Sequence, residues 1–247
     1  VTTTGQVTGT NYDGLTAISY DATGTDVTVS AVNVTGGRRG IYARNNGSGT
    51  QLVTVNGTVT GGTDEGIGTI TGAGKSTTIT LNFGADVSSA SGTALTNDDG
   101  NSTTLVNLGA SVTGTVSLGG GNDDLTFDGG NFSNVTTLDG GADTDTLTFR
   151  NVNATAASAN LVNWENVLVD AGATVALDGN VTTTDLTVAG GGNFTQTSGL
   201  VTASGTLTNN ATATVSNLSA GAVLNDFGAQ LSLQGAVGGA VNNYGNL

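Results

Sequence analysis

The chain has 247 residues, 41 of them glycine, and contains no proline, cysteine or histidine. Disulfide staples, thiolate or imidazole metal sites and histidine-based acid–base catalysis are therefore excluded. Five basic residues against 19 acidic ones give a net charge of −14, which leaves no cationic tract broad enough to hold a nucleic acid or an anionic membrane surface.

Residues 1–117 repeat at a step of 26. Val1, Val27, Val53, Ile79 and Leu105 form one apolar column, Gly14, Gly40, Gly66 and Gly92 a second, and Thr2, Thr28, Thr54 and Thr80 a third. A period of this size marks a solenoid whose repeats stack on one another. In the repeat spanning 40–62, an apolar strand at 41–43 leads to a polar turn at 45–50. Strands at 52–55 and 58–60 follow, closed by Gly61 and Gly62. Short strands between Gly, Asn and Asp turns are what a β-helix coil requires, and proline is excluded from interior strands. Alternation along the second strand predicts Val27, Val53, Ile79 and Leu105 inside and Thr28, Thr54 and Thr80 outside. Phe83 falls in a column otherwise held by Gly5, Ala31, Gly57 and Gly109, and is expected to mark a wide spot in the core.

The step of 26 fails after Leu105. Leu125-Thr126-Phe127 returns as Leu147-Thr148-Phe149, a step of 22, and residues 151–160 read as an irregular bulge or cap. Short strands follow at 167–169, 175–177 and 186–188. Leu207, Leu224 and Val241 then recur at a step of 17, so the coils shrink toward the C-terminus. No linker interrupts the series. Residues 1–247 are read as one continuous solenoid: 26-residue repeats over 1–117, Gly/Asp-rich coils over 118–150 and shorter coils over 151–247. The fold class is an all-β, single-stranded parallel β-helix of ten to twelve coils, roughly 50 Å long at ~4.8 Å per coil. No apolar run is long enough to span a membrane as a helix. The chain starts and stops in mid-repeat, as expected of a piece of a longer protein.

Several stretches resemble passenger domains of bacterial autotransporter adhesins: LGGGNDDLTF at 118–127, LDGGADTDTLTF at 138–149 and NWENVLVDAGATVALDG at 163–179. The closing series LTNNATATV, LNDFGAQLSL and VNNYGNL is similar to them as well. The resemblance implies a right-handed parallel β-helix exported through an outer-membrane barrel, with adhesion or aggregation as its work, and strand-crossover rules favour the same hand. The run from Gly119 to Leu125 is also similar to the Gly- and Asp-rich nonapeptide that holds calcium in parallel β-rolls. On that likeness Asp123, Asp124, Asp143 and Asp145 become candidate calcium ligands, since carboxylates in tight glycine turns suit a hard cation. Two isolated copies in place of an unbroken tandem weigh against the ion.

Arg38, Arg39 and Arg44 hold most of the positive charge and lie beside the turn containing Asn45 and Asn46. These five residues are the candidate binding surface for an anionic or glycan partner. Arg39 shares a column with Asp13 and Glu65, which also fits ion pairing between neighbouring coils. The turns at 20–26, 45–50, 72–76 and 98–102 are expected to project as a row along one edge. Adjacent acids such as Asp98 and Asp99 point to opposite sides of a strand and do not make a glycosidase pair. The reading is thus a non-enzymatic structural or adhesive segment, at a bacterial cell surface or secreted, needing no cofactor. Its partners are a host-cell or matrix ligand, a glycan or another copy of itself. A calcium-dependent surface-layer or fibre-forming solenoid is the alternative, followed by a carbohydrate-acting β-helix enzyme.

Overall fold

The computed structural model describes every residue except Ala22, Ser158, Gly235 and Ala236, and the side chains of all but these and residues 154–157. The chain is a parallel β-solenoid, as its sequence predicts. Its strands form a 21-stranded sheet and a 5-stranded sheet, and the described residues include no helix. Each wide coil has three faces. The first stacks Gln6–Gly9, Asn33–Gly36, Thr58–Gly61 and Asp86–Ser89. The second stacks Leu15–Ser19, Ile41–Asn45, Ile67–Thr71 and Thr93–Asn97. The third stacks Val27–Ala31, Gln51–Val55, Ser76–Leu81 and Asn101–Asn107.

Alternation turns every second side chain inward, so each face supplies a buried column. On the third face Val29, Val53, Ile79, Thr104, Leu125, Leu147, Val167, Leu186, Leu207 and Val223 lie one above another. Burying each apolar member contributes about 1.5–3 kcal/mol.

The register corrects the sequence-based columns. Val53 stacks on Ile79 at the expected step of 26, but its other neighbour is Val29, and Val27 lies beside Gln51. From Ile79 the next step is 25, which brings Thr104 to the inner row and turns Leu105 outward, while Val106 follows Leu81. An odd change of step flips a strand's faces, because side chains alternate with a period of two. Thr28, Thr54 and Thr80 do face outward, although Thr28 lies beside Leu52. The glycine column holds for Gly14, Gly40 and Gly66, where a Cβ on Gly40 would come within 2.5 Å of the Gly66 carbonyl oxygen. Gly66 then meets Ala94, and Gly92 adopts a left-handed turn with φ of 87°.

Phe83 does not widen the core. It sits in the turn after Leu81, is 79 % exposed and lies against Gly109, where a Cβ would be 2.8 Å from the ring. The aromatic core is Phe127, Phe132 and Phe149, with ring centroids 4.8–5.9 Å apart. The coils shorten because strands merge across corners. Ser111–Ser117 and Asn131–Asp139 run through the first and second faces. From Asn160–Val169 onward, single strands run through the second and third faces and the turn between them is gone. Near the end the steps are 16 and 18, not a uniform 17. Leu207 stacks on Val223 and Val223 on Val241, while Leu224 is half-buried in the outer row.

The first face continues as the five-stranded sheet of Asn153–Ala157, Thr174–Leu177, Asn193–Gln196, Thr212–Val215 and Gln230–Leu233. In the region expected to bulge, Asn153–Ala157 is a strand whose register against Thr174–Leu177 shifts between Ala154 and Ala157; Ser158 lies outside the described residues. At the C-terminal end the inner column becomes polar. Asn209 and Asn225 are fully buried, and their amides donate to Asn225 at 2.8 Å and to Asn243 at 2.7 Å.

Candidate functional site

The connections from second to third face in the first four coils stack on one edge. They follow Ser19, Asn45 and Thr71, which share one ladder position, and Asn97, which pairs with Thr69 two residues earlier. Asn46 donates its N–H to the Ser19 carbonyl at 3.0 Å, and Thr50 donates to the Asp26 carboxylate at 2.7 Å. Lys75 reaches back to the Asn46 carbonyl at 2.9 Å. The expected row of turns is therefore formed, and among the described residues it belongs to the wide coils and the two that follow.

The five nominated binding residues separate into three roles. Arg38 makes a two-pronged pair with Asp13, at 2.8 Å from both nitrogens. This contact holds the Asp13 carboxyl below the ordinary carboxylate range. Arg39 bridges Glu65 at 2.6 Å and Asp64 at 3.1 Å and lies over the Tyr42 ring at 4.4 Å. Burial pushes the Glu65 carboxyl up, with Asp64 adding to the push and Arg39 opposing it. These two arginines tie neighbouring coils together at the corner between first and second faces. Asn45 is fully buried, so it is scaffold and not contact surface. Its amide donates to the Gly49, Thr25 and Thr50 carbonyls, and its Oδ1 accepts the Gly47 N–H at 2.9 Å. A polar side chain in a tight turn is the natural acceptor and donor for that turn's own backbone.

Arg44 and Asn46 remain at the surface. Arg44 projects outward from Ile41–Asn45, donates Nε–H to Asn46 Oδ1 at 2.8 Å and lies 5.8 Å from the centre of the Tyr20 ring. Lys75, on the next coil, contacts the same Asn46. Sequence reasoning placed Tyr20 and Lys75 in the row of turns but did not nominate them as binding residues. Tyr20 was reachable, because it precedes Asn46 by one 26-residue step. Lys75 sits 29 residues after Asn46, and only the folded turn brings them together. Beside this row lies a shallow groove of about 220 Å³ bordered by Arg39, Tyr42, Glu65, Ile70, Thr96 and Asp98. It exists because Gly68 separates Tyr42 from Thr96 in the outward column.

The four candidate calcium ligands do not converge. Asp124 is exposed on the outer row, and Asp143, with φ of 85°, accepts the Gly121 N–H at 3.2 Å in an exposed turn. Asp123 and Asp145 are buried in adjacent coils as part of a ladder. Ser102 donates its N–H to Asp123, Asp123 to Asp145 at 2.8 Å, and Asp145 to Glu165 at 2.7 Å. One oxygen of each buried aspartate, Oδ2, has no partner, and neither do the hydroxyls of Ser102 and Thr104 below them. Burial pushes Asp123 up to about 7 and Asp145 to about 6. Hydrogen bonds from Ser102 and from the Asp123 backbone, respectively, oppose the rise. Among the described residues no three Asp or Glu side chains are arranged to hold a metal ion. The set does not fit calcium: two stacked carboxylates, each already bound to a backbone N–H, offer one free oxygen apiece.

No family model, no curated protein and no solved structure matches this chain.

Proposed function

We propose that the chain is a structural and adhesive segment of a bacterial surface protein of the autotransporter-passenger type, working outside the cell and without catalysis. The observation that carries this reading is the division of labour within the coil. A parallel ladder running from coil to coil forms the scaffold, and its edge presents a stacked row of chemically varied turns. Loops fixed on a rigid frame are where recognition concentrates. The grooves along the rod are shallow and open, which suits contact with an extended ligand. The acidic charge suits an exposed, solvated surface. The partners this surface fits are a matrix or host-cell ligand, a glycan, or a second copy of the rod.

Attachment of the purified 247-residue chain to host cells and matrix-coated surfaces tests the reading. A variant with residues 46–50 replaced by a short Gly/Ser loop is the comparison. The expected result is attachment that falls several-fold in the variant while circular dichroism is unchanged. Attachment indistinguishable from an inert acidic protein of the same size would refute it.

A further inference from the structure

Charge on this rod is arranged almost entirely in pairs. Of the five cations, Arg38 is held by Asp13, Arg39 by Asp64 and Glu65, and Arg150 by Asp128 and Asp170. Arg44 and Lys75 are the exceptions among the described residues: neither has a carboxylate within 4.0 Å, on a chain carrying 19 acids. Both reach Asn46 instead. Both are half-buried, and both donate to Asn46, Arg44 to its side-chain oxygen and Lys75 to its backbone oxygen. Two like charges gathered on one residue repel, and neither is paired with a carboxylate. An anion bound between them would offset it, with the guanidinium giving a fork of donors and the ammonium a point charge.

We infer that Arg44, Lys75 and Asn46 form a binding site for the acidic group of a polysaccharide, a carboxylate or a sulfate; the inference names a ligand class for the turn row and rests on the adhesive reading. Three features favour a sugar over a bare ion. Tyr20, 71 % exposed beside Arg44, offers an aromatic face to the C–H side of a sugar ring. The exposed Asn46 amide supplies a hydroxyl-matching group on the same turn, while the Thr50 hydroxyl is engaged by Asp26 at 3.0 Å. The surrounding negative charge repels a polyanion everywhere else, so contact is confined to this edge and oriented by it. Nucleic acid is disfavoured for the same reason, since two cations cannot neutralise a run of phosphates.

Affinity electrophoresis of the full 247-residue chain tests the site, through gels containing polygalacturonate, dextran sulfate or neutral dextran. Retardation by the first identifies the carboxylate, by the second the sulfate, and none is expected in neutral dextran. Replacing Arg44→Ala and Lys75→Ala together should weaken the apparent affinity at least tenfold, and Arg44→Lys should recover part of it. Arg38→Ala with Arg150→Ala removes the same formal charge from paired positions and should change it less than about threefold. No retardation of the native chain by either polyanion overturns the inference, and so does an equal loss in the two double variants. Cell attachment measured in parallel separates the failures. If it persists in the Arg44/Lys75 variant, the adhesive segment stands and the anion site falls. If the native chain attaches to nothing, the adhesive reading falls whatever the gels show.

Discussion

Two phenylalanines of opposite fate provide the sharpest test of the fold. Phe149 is fully buried, its ring 5.9 Å from Phe127 and 4.8 Å from Phe132, at the level where the coil has shortened and aromatic volume fills the core. Truncating it to alanine removes the transfer free energy of the ring and leaves a cavity that backbone ladders above and below prevent from closing. Such changes cost about 3–5 kcal/mol, and two aromatic contacts worth roughly 0.5–1.5 kcal/mol each vanish with the ring. Phe83 is 79 % exposed in a turn, so Phe83→Ala should stay within about 0.5 kcal/mol. Urea denaturation followed by far-ultraviolet circular dichroism measures both. Amide exchange at Phe127 and Phe149 shows whether the loss is confined to those coils, as nearest-neighbour stacking predicts. A Phe149→Ala variant within 1 kcal/mol of the native chain, or a Phe83→Ala variant as damaged as Phe149→Ala, would refute the placement of the aromatic core.

Other consequences follow from register, titration and the asparagine ladder. Val106→Asp should unfold the middle coils, since it buries an unpaired charge, whereas Leu105→Asp on the outer row should cost less than about 1 kcal/mol; equal effects in thermal melts would contradict the 25-residue step. Asp123 and Asp145 bind their protons more tightly when folded than unfolded, so the stability they contribute is complete below about pH 4 and is lost as pH rises through 6 to 7. Asp123→Asn and Asp145→Asn should each flatten that decline in melting temperature between pH 4 and 7.5, and an unchanged slope would count against buried neutral acids. Asn225→Ala should cost about 1–3 kcal/mol, by removing the bonds its side chain makes to Asn209, Asn243 and the Asn246 carbonyl, with amide exchange accelerating first beyond residue 209.

Much of this architecture is legible in the sequence because a parallel solenoid repeats its physics. The Leu125/Leu147 and Phe127/Phe149 columns, the outward threonines and the shrinking coils all follow from side-chain alternation and spacing. What misleads is the assumption of one constant step. Three columns agree on 26, yet the third face alone steps 24, 26 and 25, because turns of different length sit at different corners and absorb residues independently. Leu105 was misassigned for that reason, whereas Phe83 keeps its 26-step partner Gly109 but lies in the turn after Leu81 and not in the core. The site was legible in part. Clustering of Arg38, Arg39 and Arg44 is visible in the chain, but only the fold shows that two of them are neutralised by Asp13, Asp64 and Glu65. Asn45 looks like Asn46 on paper, and strand alternation, carried one residue further, turns one inward and the other out.

The placement of buried polar groups follows from how the rod is held together. In a globular core, an unpartnered carboxylate or hydroxyl is a heavy liability. Here much of that liability gathers along one corner: Gln51, Ser102, Asp123 and Asp145 occupy the inner row where the second face turns into the third, and each leaves one oxygen unpartnered, while Thr104, two residues after Ser102, and Gln196, in the five-stranded sheet, each leave one elsewhere. That corner is where the wide coils need a turn, and a turn needs side-chain acceptors for backbone N–H groups that the ladders cannot serve. Ser102, Asp123 and Asp145 each donate an N–H to an acid one coil further along. Past that point the second and third faces merge into single strands such as Asn160–Val169, and the half-buried Glu165 follows Asp145 on the ladder. The buried acids and the projecting turns thus share one cause, the corner between the second and third faces, which the merged strands of the C-terminal coils replace.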